Sequence, residues 1–407
     1  MDSTELEIPS YFLCPISMQL MADPVTLSTG ATYDRHSIEK WVYTMGNNTC
    51  PLTKQPLPNT DLTPNHTLRR LIQQWCVLNS SAGVHRISTP RPPLDADRLN
   101  KLLQDMASFQ LKSLKKLRSA AAESEGNSRF IASSAAPVAL ISVIESYSTE
   151  SDEAGYSYDV AVACEEALGI LYSLPLPDET LDSIATSKCL ASLAAILKRG
   201  TSSARFYSSM LLQTLSRKCL ERLVMNANDE LIEGLLELLT EEVSHQTTVA
   251  ALEMLSAIAS NSRRMRMKTI EAGAVSVLIE SLPNQTLEKK GRCERMLCLL
   301  DVLCGCAEGR AAVADHAMGI PAVSKKILRV SDLATEKAVR ILWLLCKISP
   351  SKRVIDEMLQ IGAVTELCLL LNYACSAKTR SKVNEVLRMH GKCWKSRSCI
   401  SSVNFPE

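Results

Sequence analysis

Two hydrophobic patterns divide the chain. From Arg98 onward, apolar positions recur every three to four residues, with Leu, Ala, Glu and Lys dominating, and this period predicts helix almost throughout. The first 79 residues carry shorter signals. Pro24-Val25-Thr26-Leu27 and Ala31-Thr32-Tyr33 read as strands around a turn at Ser28-Thr29-Gly30. Asp34 is placed to cap a helix from Arg35 to Met45, with Ile38, Trp41 and Val42 on one apolar face. Asn65 is placed to cap a second helix with the stripe Leu68, Leu71, Ile72 and Trp75. Between the zones, residues 80–97 (SSAGVHRISTPRPPLDAD) are rich in Ser and Pro and predict a linker. As a random coil it would be a flexible tether spanning on the order of 25 Å. The predicted organisation is therefore a compact module over 1–79, a linker over 80–97, a helical array over 98–394 and a loose tail over 395–407.

The helical zone repeats. Helix-start anchors fall at Ala136, Leu190, Ile232, Val275, Ile320 and Val364, and a second register falls at Leu168, Leu212, Leu252, Leu300, Leu342 and Leu387. Both registers share a period of about 43 residues, the length range of armadillo and HEAT repeats. IEAGAVSVLIESL (Ile270 to Leu282) and LQIGAVTELCLLL (Leu359 to Leu371) resemble the armadillo turn, where a glycine lets one helix bend sharply into the next. Gly319-Ile320-Pro321 resembles the same junction. The polar stretch from Ser146 to Asp159 reads as an extended loop that lengthens the first interval. About six repeats are expected, each burying its apolar stripe only against its neighbours.

Composition narrows the function classes. Lysine plus arginine number 45 and aspartate plus glutamate 44, a balance that argues against a nucleic-acid surface. Val160 to Leu174 is a candidate span, but Glu165 and Glu166 interrupt it, so no membrane span is predicted. The acidic start MDSTELEIPS lacks the apolar core of a secretory signal. The fifteen cysteines include no CxxC pair and mostly sit in apolar helical patterns, as reduced, buried thiols of a cytoplasmic or nuclear protein do. Cys304 and Cys306, tempting as a redox pair, have the wrong spacing for one.

The densest motif set lies between Phe12 and Cys76. CPIS spans Cys14 to Ser17, and Met21 and Asp23-Pro24-Val25 follow. Gly30, TYDR (Thr32 to Arg35), Ile38 and Trp41 come next, then CPLT (Cys50 to Thr53), PNHTLRRLI (Pro64 to Ile72) and Trp75-Cys76. In this order the pieces closely resemble a U-box, the zinc-free relative of the RING domain. Two tetrahedral zinc ions would need eight ligands. The module offers only Cys14, Cys50, Cys76, His36 and His66, none in ligand-pair spacing. No metal and no cofactor are expected, and the two loops must be held by polar contacts among residues such as Asp23, Asp34, Arg35, Thr53 and Asn65.

The order U-box, Pro-rich linker, armadillo repeats resembles the plant U-box ubiquitin ligases with armadillo repeats. The resemblance implies a mainly α fold, a small α+β U-box followed by an armadillo α-solenoid, whose third helices line a concave groove. It implies a ubiquitin ligase with no covalent intermediate and no catalytic nucleophile. Ile16, Met18, Trp41 and Pro51 would bind the ubiquitin-conjugating enzyme. Lys54 would orient ubiquitin, where relatives often use arginine, whose planar fork a lysine lacks. Cys14, Asp23, Pro24, Tyr33, Asp34, Ile38 and Leu68 would be structural, and Leu20, Met21, Leu71 and Ile72 would join the core. His36 and His66 would be surface residues at helix starts. The implied partners are conjugating enzyme, ubiquitin and a protein substrate in the armadillo groove. Self-ubiquitination, self-association, and a role in degradation under stress or immune signalling are further expectations. Thr63-Pro64 and Thr89-Pro90 fit proline-directed phosphorylation. The alternative is an interaction scaffold without ligase activity. A nuclear-import adaptor is disfavoured because the third helices carry no Trp on this reading, Trp343 being assigned to a middle helix and Trp394 to the end.

Overall fold

The computed structural model describes residues 8–80, 84–85, 87, 94–106, 111–148, 158–241, 243–283 and 290–395. The chain divides into two compact units, one comprising Met1–Ala139 with Ser173–Leu176 and the other Leu140–Tyr172 with Pro177–Glu407.

In the first unit, β1 (Pro24–Thr26) lies between β2 (Thr32–Asp34) and β3 (Thr63–Pro64), with both pairings antiparallel. Gly30 makes the β1–β2 turn with a φ of 81°, a conformation only glycine adopts cheaply. The third strand is not evident in the sequence: it is two residues long and contains a proline, which an edge strand tolerates. Helix α1 (Arg35–Glu39) widens into a π-helical turn over Lys40–Thr44, where the Met45 amide donates to the Lys40 carbonyl. Asp34 does not cap α1 with its side chain. Its carboxylate accepts instead from the Ala22 and Asp23 amides, a competing pair of donors the sequence did not reveal.

Helix α2 (His66–Leu78) is capped as predicted, the Asn65 side chain accepting from the Leu68 amide. Its inner face is Leu68, Ile72, Trp75 and Cys76, while Leu71 is 47% exposed. Cys76 completes the helical stripe and leaves Leu71 outside it, which corrects the predicted core. The remaining core is Phe12, Cys14, Met21, Val25, Leu27, Tyr33, Ile38, Val42 and Cys50, with Leu20, Leu68 and Trp41 packed at its margin. Val84 and Ile87, inside the predicted linker, also rest on this core. The unit continues with α3 (Ala96–Met106), α4 (Leu111–Glu123) and α5 (Glu125–Ala132). U-box side chains touch α5 directly, so the picture of a freely swinging tether is corrected.

The repeats then proceed in threes: a short helix, a middle one and a long one. After α5 come α6 (Ala136–Glu145) and α7 (Tyr158–Ser173), the predicted extended loop between them lying mostly outside the described residues. The following triplets are α8 (Asp178–Ile184), α9 (Ser187–Arg199) and α10 (Ser202–Lys218), then α11 (Leu220–Asn226), α12 (Asp229–Glu241) and α13 (His245–Asn261). Next are α14 (Arg263–Glu271), α15 (Ala274–Ser281) and α16 (Lys290–Leu303). The last two triplets are α17 (Ala307–Asp315), α18 (Gly319–Ser324) and α19 (Asp332–Ile348), then α20 (Lys352–Gln360), α21 (Ala363–Leu370) and α22 (Ala377–Lys395). Gly273 and Gly362 make the short-to-middle bends with φ of 87° and 80°.

All twelve repeat anchors are buried, one register on the middle helices and the other on the long ones. Within each triplet the long helix is third, so Trp343 on α19 lies on a third helix, which corrects the sequence reading. The error was one of phase, because two registers with one period do not say which helix follows the bend. Helix α22 runs to Lys395, one residue into the predicted tail, and Trp394 is buried with its indole N–H donating to the Ile355 carbonyl. No single described helix is long and apolar enough to cross a membrane.

Two glycines of the second unit should respond oppositely to alanine. A methyl at Gly309 would overlap the Leu303 carbonyl, so Gly309→Ala should cost on the order of 2 kcal/mol or more. At Gly291, inside α16, a methyl meets only the tip of Arg295, and alanine should stabilise by up to about 1 kcal/mol. Urea unfolding of both variants checks the contrast.

Candidate functional site

The two loops of the N-terminal module share one design. Residues 14–19 read CPISMQ and residues 50–55 read CPLTKQ. In loop one the Cys14 amide donates to the Gln19 carbonyl and the Met18 amide to the Cys14 carbonyl, both at 2.8 Å. In loop two Cys50 donates to Gln55 at 2.8 Å and Lys54 to Cys50 at 2.9 Å, in the same pattern. Met18 and Lys54, at equivalent places, both take positive φ, 55° and 60°. The hexapeptide likeness was visible in the sequence and was the signal for this pairing.

A buried sulfur sits inside each loop. Cys14 Sγ accepts from the Asp34 amide at 3.3 Å. Burial raises this thiol, but hydrogen bonds from Ser17, Asp34 and Ile16 outweigh that and hold it below its ordinary value. Cys50 Sγ lies 3.1 Å from the Tyr33 hydroxyl and accepts from Thr29 at 3.4 Å. Burial again raises the thiol, yet hydrogen bonds from Thr29, Thr53 and Tyr33 bring it down to about 6. Burial and the bond to Cys50 push the Tyr33 phenol up in turn. Tyr33 also accepts from the Leu52 amide at 3.0 Å. Neighbouring residues of β2, Tyr33 and Asp34, thus hold loop two and loop one respectively.

Ion pairs extend this frame. Arg35 Nε meets Asp23 Oδ2 at 2.6 Å, Arg69 lies 3.8 Å from the same carboxylate, and Arg35 lies 3.8 Å from Glu39. Asn65 also donates to the Thr26 hydroxyl at 3.4 Å. Of the polar residues expected to brace the loops, Asp23 pairs with Arg35, while Arg69 and Glu39 are additions the sequence reading missed. Among the described residues, no cluster of three or more His, Cys, Asp or Glu could hold a metal ion.

Trp41 is half-buried on the π-helical turn, and its indole N–H donates to the Thr49 carbonyl at 2.8 Å, tying the helix to loop two. Lys54 Nζ lies 5.8 Å from the Trp41 ring centroid. Met18 is 70% exposed and Leu52, which sequence reasoning passed over, is 62% exposed. Ile16 and Pro51 are half-buried behind these tips. Pro24 and Ile38 are buried and Leu68 half-buried, at structural positions. His36 and His66 are exposed at helix starts. Thr63 is exposed on β3, two residues before the α2 cap, and Thr89 lies outside the described residues.

In the second unit, polar rungs join successive long helices. Glu253 on α13 accepts from Gln213 and Arg217 of α10 and from Arg295 of α16. Asp301, on α16 and almost fully buried, meets Lys337 at 3.1 Å and Arg340 at 3.0 Å from α19. Glu385 on α22 accepts from the Trp343 indole at 2.6 Å and pairs with Lys347 at 2.7 Å.

A pair of like loops braced on a central helix, followed by stacked three-helix repeats, defines a U-box protein of the armadillo type. The U-box domain model matches residues 8–81, and the model for the plant U-box protein ARM repeat region matches residues 98–407. The chain is 40% identical over 405 residues to E3 ubiquitin-protein ligase PUB23 of Arabidopsis thaliana, covering 97% of this chain and 96% of that protein. It is 38% identical over 423 residues to E3 ubiquitin-protein ligase PUB22 of the same plant, covering 97% of each. A designed armadillo repeat protein overlays 62% of this chain and 98% of its own length at 15% identity with a TM-score of 0.45. The chain belongs to the plant U-box family with armadillo repeats. It is a RING-type ubiquitin transferase of that family.

The Cys50 hub carries a pH signature. Its thiol titrates near 6 in the folded state against 9.0 for an ordinary thiol, so the stability it lends is complete above about 9 and lost as pH falls through about 6. Protection of the Cys50 and Lys54 amides, corrected for intrinsic exchange, should therefore rise between pH 6 and 8. In Cys50→Ser this rise should disappear. A flat profile in the unmodified protein would remove the thiolate from loop two.

Proposed function

We propose that the U-box recruits a ubiquitin-charged conjugating enzyme on the surface formed by Ile16, Met18, Trp41 and Pro51, extended by Leu52. The observation that carries this reading is the pair of loop tips. Their backbone bonds are closed internally, their apolar side chains, Met18 and Leu52, are left exposed, and Lys54 of loop two stands beside the Trp41 ring. Such a surface offers apolar anchors at little ordering cost. Lys54 stands next to Trp41 and orients ubiquitin as a point charge.

The ligase supplies no nucleophile. Cys14 and Cys50 are fully buried and occupied as acceptors. The attacking group is a lysine of the substrate and the thioester belongs to the conjugating enzyme. The U-box restricts ubiquitin to near-attack geometries, and the repeats raise the local concentration of substrate. The long helices, with side chains such as Trp343, Lys347 and Glu385, form the substrate surface in this reading. Self-ubiquitination, self-association, degradation of targets in stress or immune signalling, and cytoplasmic or nuclear location belong to the same proposal, as do phosphorylation at Thr63 and Thr89 and the domain limits 1–79, 80–97, 98–394 and 395–407.

Met18 separates folding from function. Glycine there relieves the positive φ, so Met18→Gly should stabilise the U-box by up to about 1 kcal/mol while weakening conjugating-enzyme binding. Chain formation with activating enzyme, conjugating enzyme, ubiquitin and ATP, read beside thermal melting, tests this. A more stable variant with undiminished activity and binding would count against the surface.

Trp41→Ala should nearly abolish chain formation, since an anchor of this kind is worth on the order of 2 kcal/mol or more. A folded variant that keeps full activity would refute its role, whereas an unmodified chain inactive with every conjugating enzyme would favour the scaffold. Activity should also survive a strong zinc chelator, and specific loss in its presence would reveal a metal requirement.

A further inference from the structure

Glu39 is the one acidic side chain buried in the described part of the U-box, 3% exposed at the end of α1. Its carboxylate faces α5, far along the chain. Glu39 Oε2 accepts from the Glu125 amide at 3.0 Å, the first amide of α5, which has no partner within its own helix. Gly126 leaves room for this approach, because a methyl there would stand 3.2 Å from Glu39 Oε1. Burial raises the Glu39 carboxyl above its ordinary value despite hydrogen bonds from Glu125 and Gly126 and the charge of Arg35.

Further contacts join the same surfaces. The Thr44 hydroxyl donates to the Glu125 carboxylate at 2.8 Å. Arg129 donates to the Tyr43 carbonyl at 2.9 Å, and its guanidinium lies 4.5 Å from the Tyr43 ring centroid. An ordinary U-box core would not need a carboxylate at position 39, because burying one is costly unless a specific partner receives it. Here the partner is a helix N-terminus, whose free amides and dipole favour an anion.

We infer that the U-box is docked on α5, with Glu39 as the positioning residue that fixes how its conjugating-enzyme surface is turned relative to that helix. The docked face carries Glu39, Tyr43 and Thr44. The conjugating-enzyme face carries Trp41, Met18 and Leu52 and stays open, Met18 and Leu52 being more than half exposed. The start of α5 is therefore a mount for the U-box. This inference goes beyond the proposed function and does not require ligase activity to be measured.

Amide exchange on the full chain tests it. In the unmodified protein, the Glu125 amide should exchange at least about tenfold more slowly than those of Ser202 and Lys352, which open α10 and α20 at the equivalent position. Gly126→Leu leaves every U-box residue unchanged but obstructs Glu39. It should accelerate exchange both at 124–129 and at 40–45, with β1 and β2 unaffected. Glu39→Ala should do the same, and Glu39→Gln, which keeps an acceptor oxygen, should retain protection. Discharge of charged conjugating enzyme to free lysine should be unchanged in Gly126→Leu. The inference is overturned if Glu125 exchanges as fast as Ser202 and Lys352, or if residues 40–45 ignore Gly126→Leu. It is equally overturned if that variant loosens β1 and β2 to the same degree, since the contact would then belong to the U-box core.

Discussion

The hydrogen bonds gathered by two buried sulfur atoms set the shape of the two loops of the U-box. A loop that reverses direction in six residues leaves backbone donors pointing inward, and buried donors must be satisfied. Cys14 and Cys50 provide polarizable acceptors at the centre of each loop. Both loops are then fastened to one strand. Successive side chains of a strand point to opposite sides, so the Tyr33 hydroxyl can reach loop two while the backbone of Asp34 serves loop one. The register of Val25 against Tyr33 therefore sets the spacing of the two loop tips. Any change that slips the β1–β2 pairing would part Ile16 and Met18 from Pro51 and Leu52 before it unfolded the domain.

Charge pairs extend this order to longer range. Asp23, Arg35 and Glu39 lead from loop one along α1 to the first amide of α5. The same device recurs between long helices, where Glu253, Asp301 and Glu385 each bind donors from an adjacent repeat. Partly exposed pairs of this kind add little net stability, because solvent screens their attraction and, at buried Asp301, desolvation offsets it. In a stack of similar apolar stripes their use is in register. A one-repeat slip would bury Asp301 away from Lys337 and Arg340, a far costlier outcome than an imperfect apolar contact.

What the sequence made legible follows from how local each signal is. The repeat period was readable because all twelve anchor residues are buried, so the pattern recorded the packing itself. The U-box motif and the Asn65 cap were readable because their determinants lie within a few residues. Asp34 was misread as a cap because its partners, Ala22 and Asp23, sit across the β-hairpin. Glu39 was invisible for the same reason, its partner lying 86 residues away. Leu71 was taken for core because one period fits two overlapping stripes, and only Cys76 decides between them. Trp343 was placed on the wrong helix because periodicity gives spacing without phase.

Met18 and Lys54 show what the sulfur-centred loops cost and what they achieve. Neither residue is glycine or asparagine, yet both occupy the left-handed region, at a penalty on the order of 1 kcal/mol each. The penalty is imposed by the loop closure itself, since the amide of each residue donates back to the cysteine carbonyl four positions earlier. A relaxed loop would avoid it by opening, and the thiol hubs prevent that. The same backbone twist leaves the two side chains exposed, one apolar and one cationic, the cationic one beside an anchored indole. Strain here is local and is supported by a buried network on the opposite side of each loop. That arrangement lets a small domain hold its two loop tips in one conformation without help from a long helix or a large sheet.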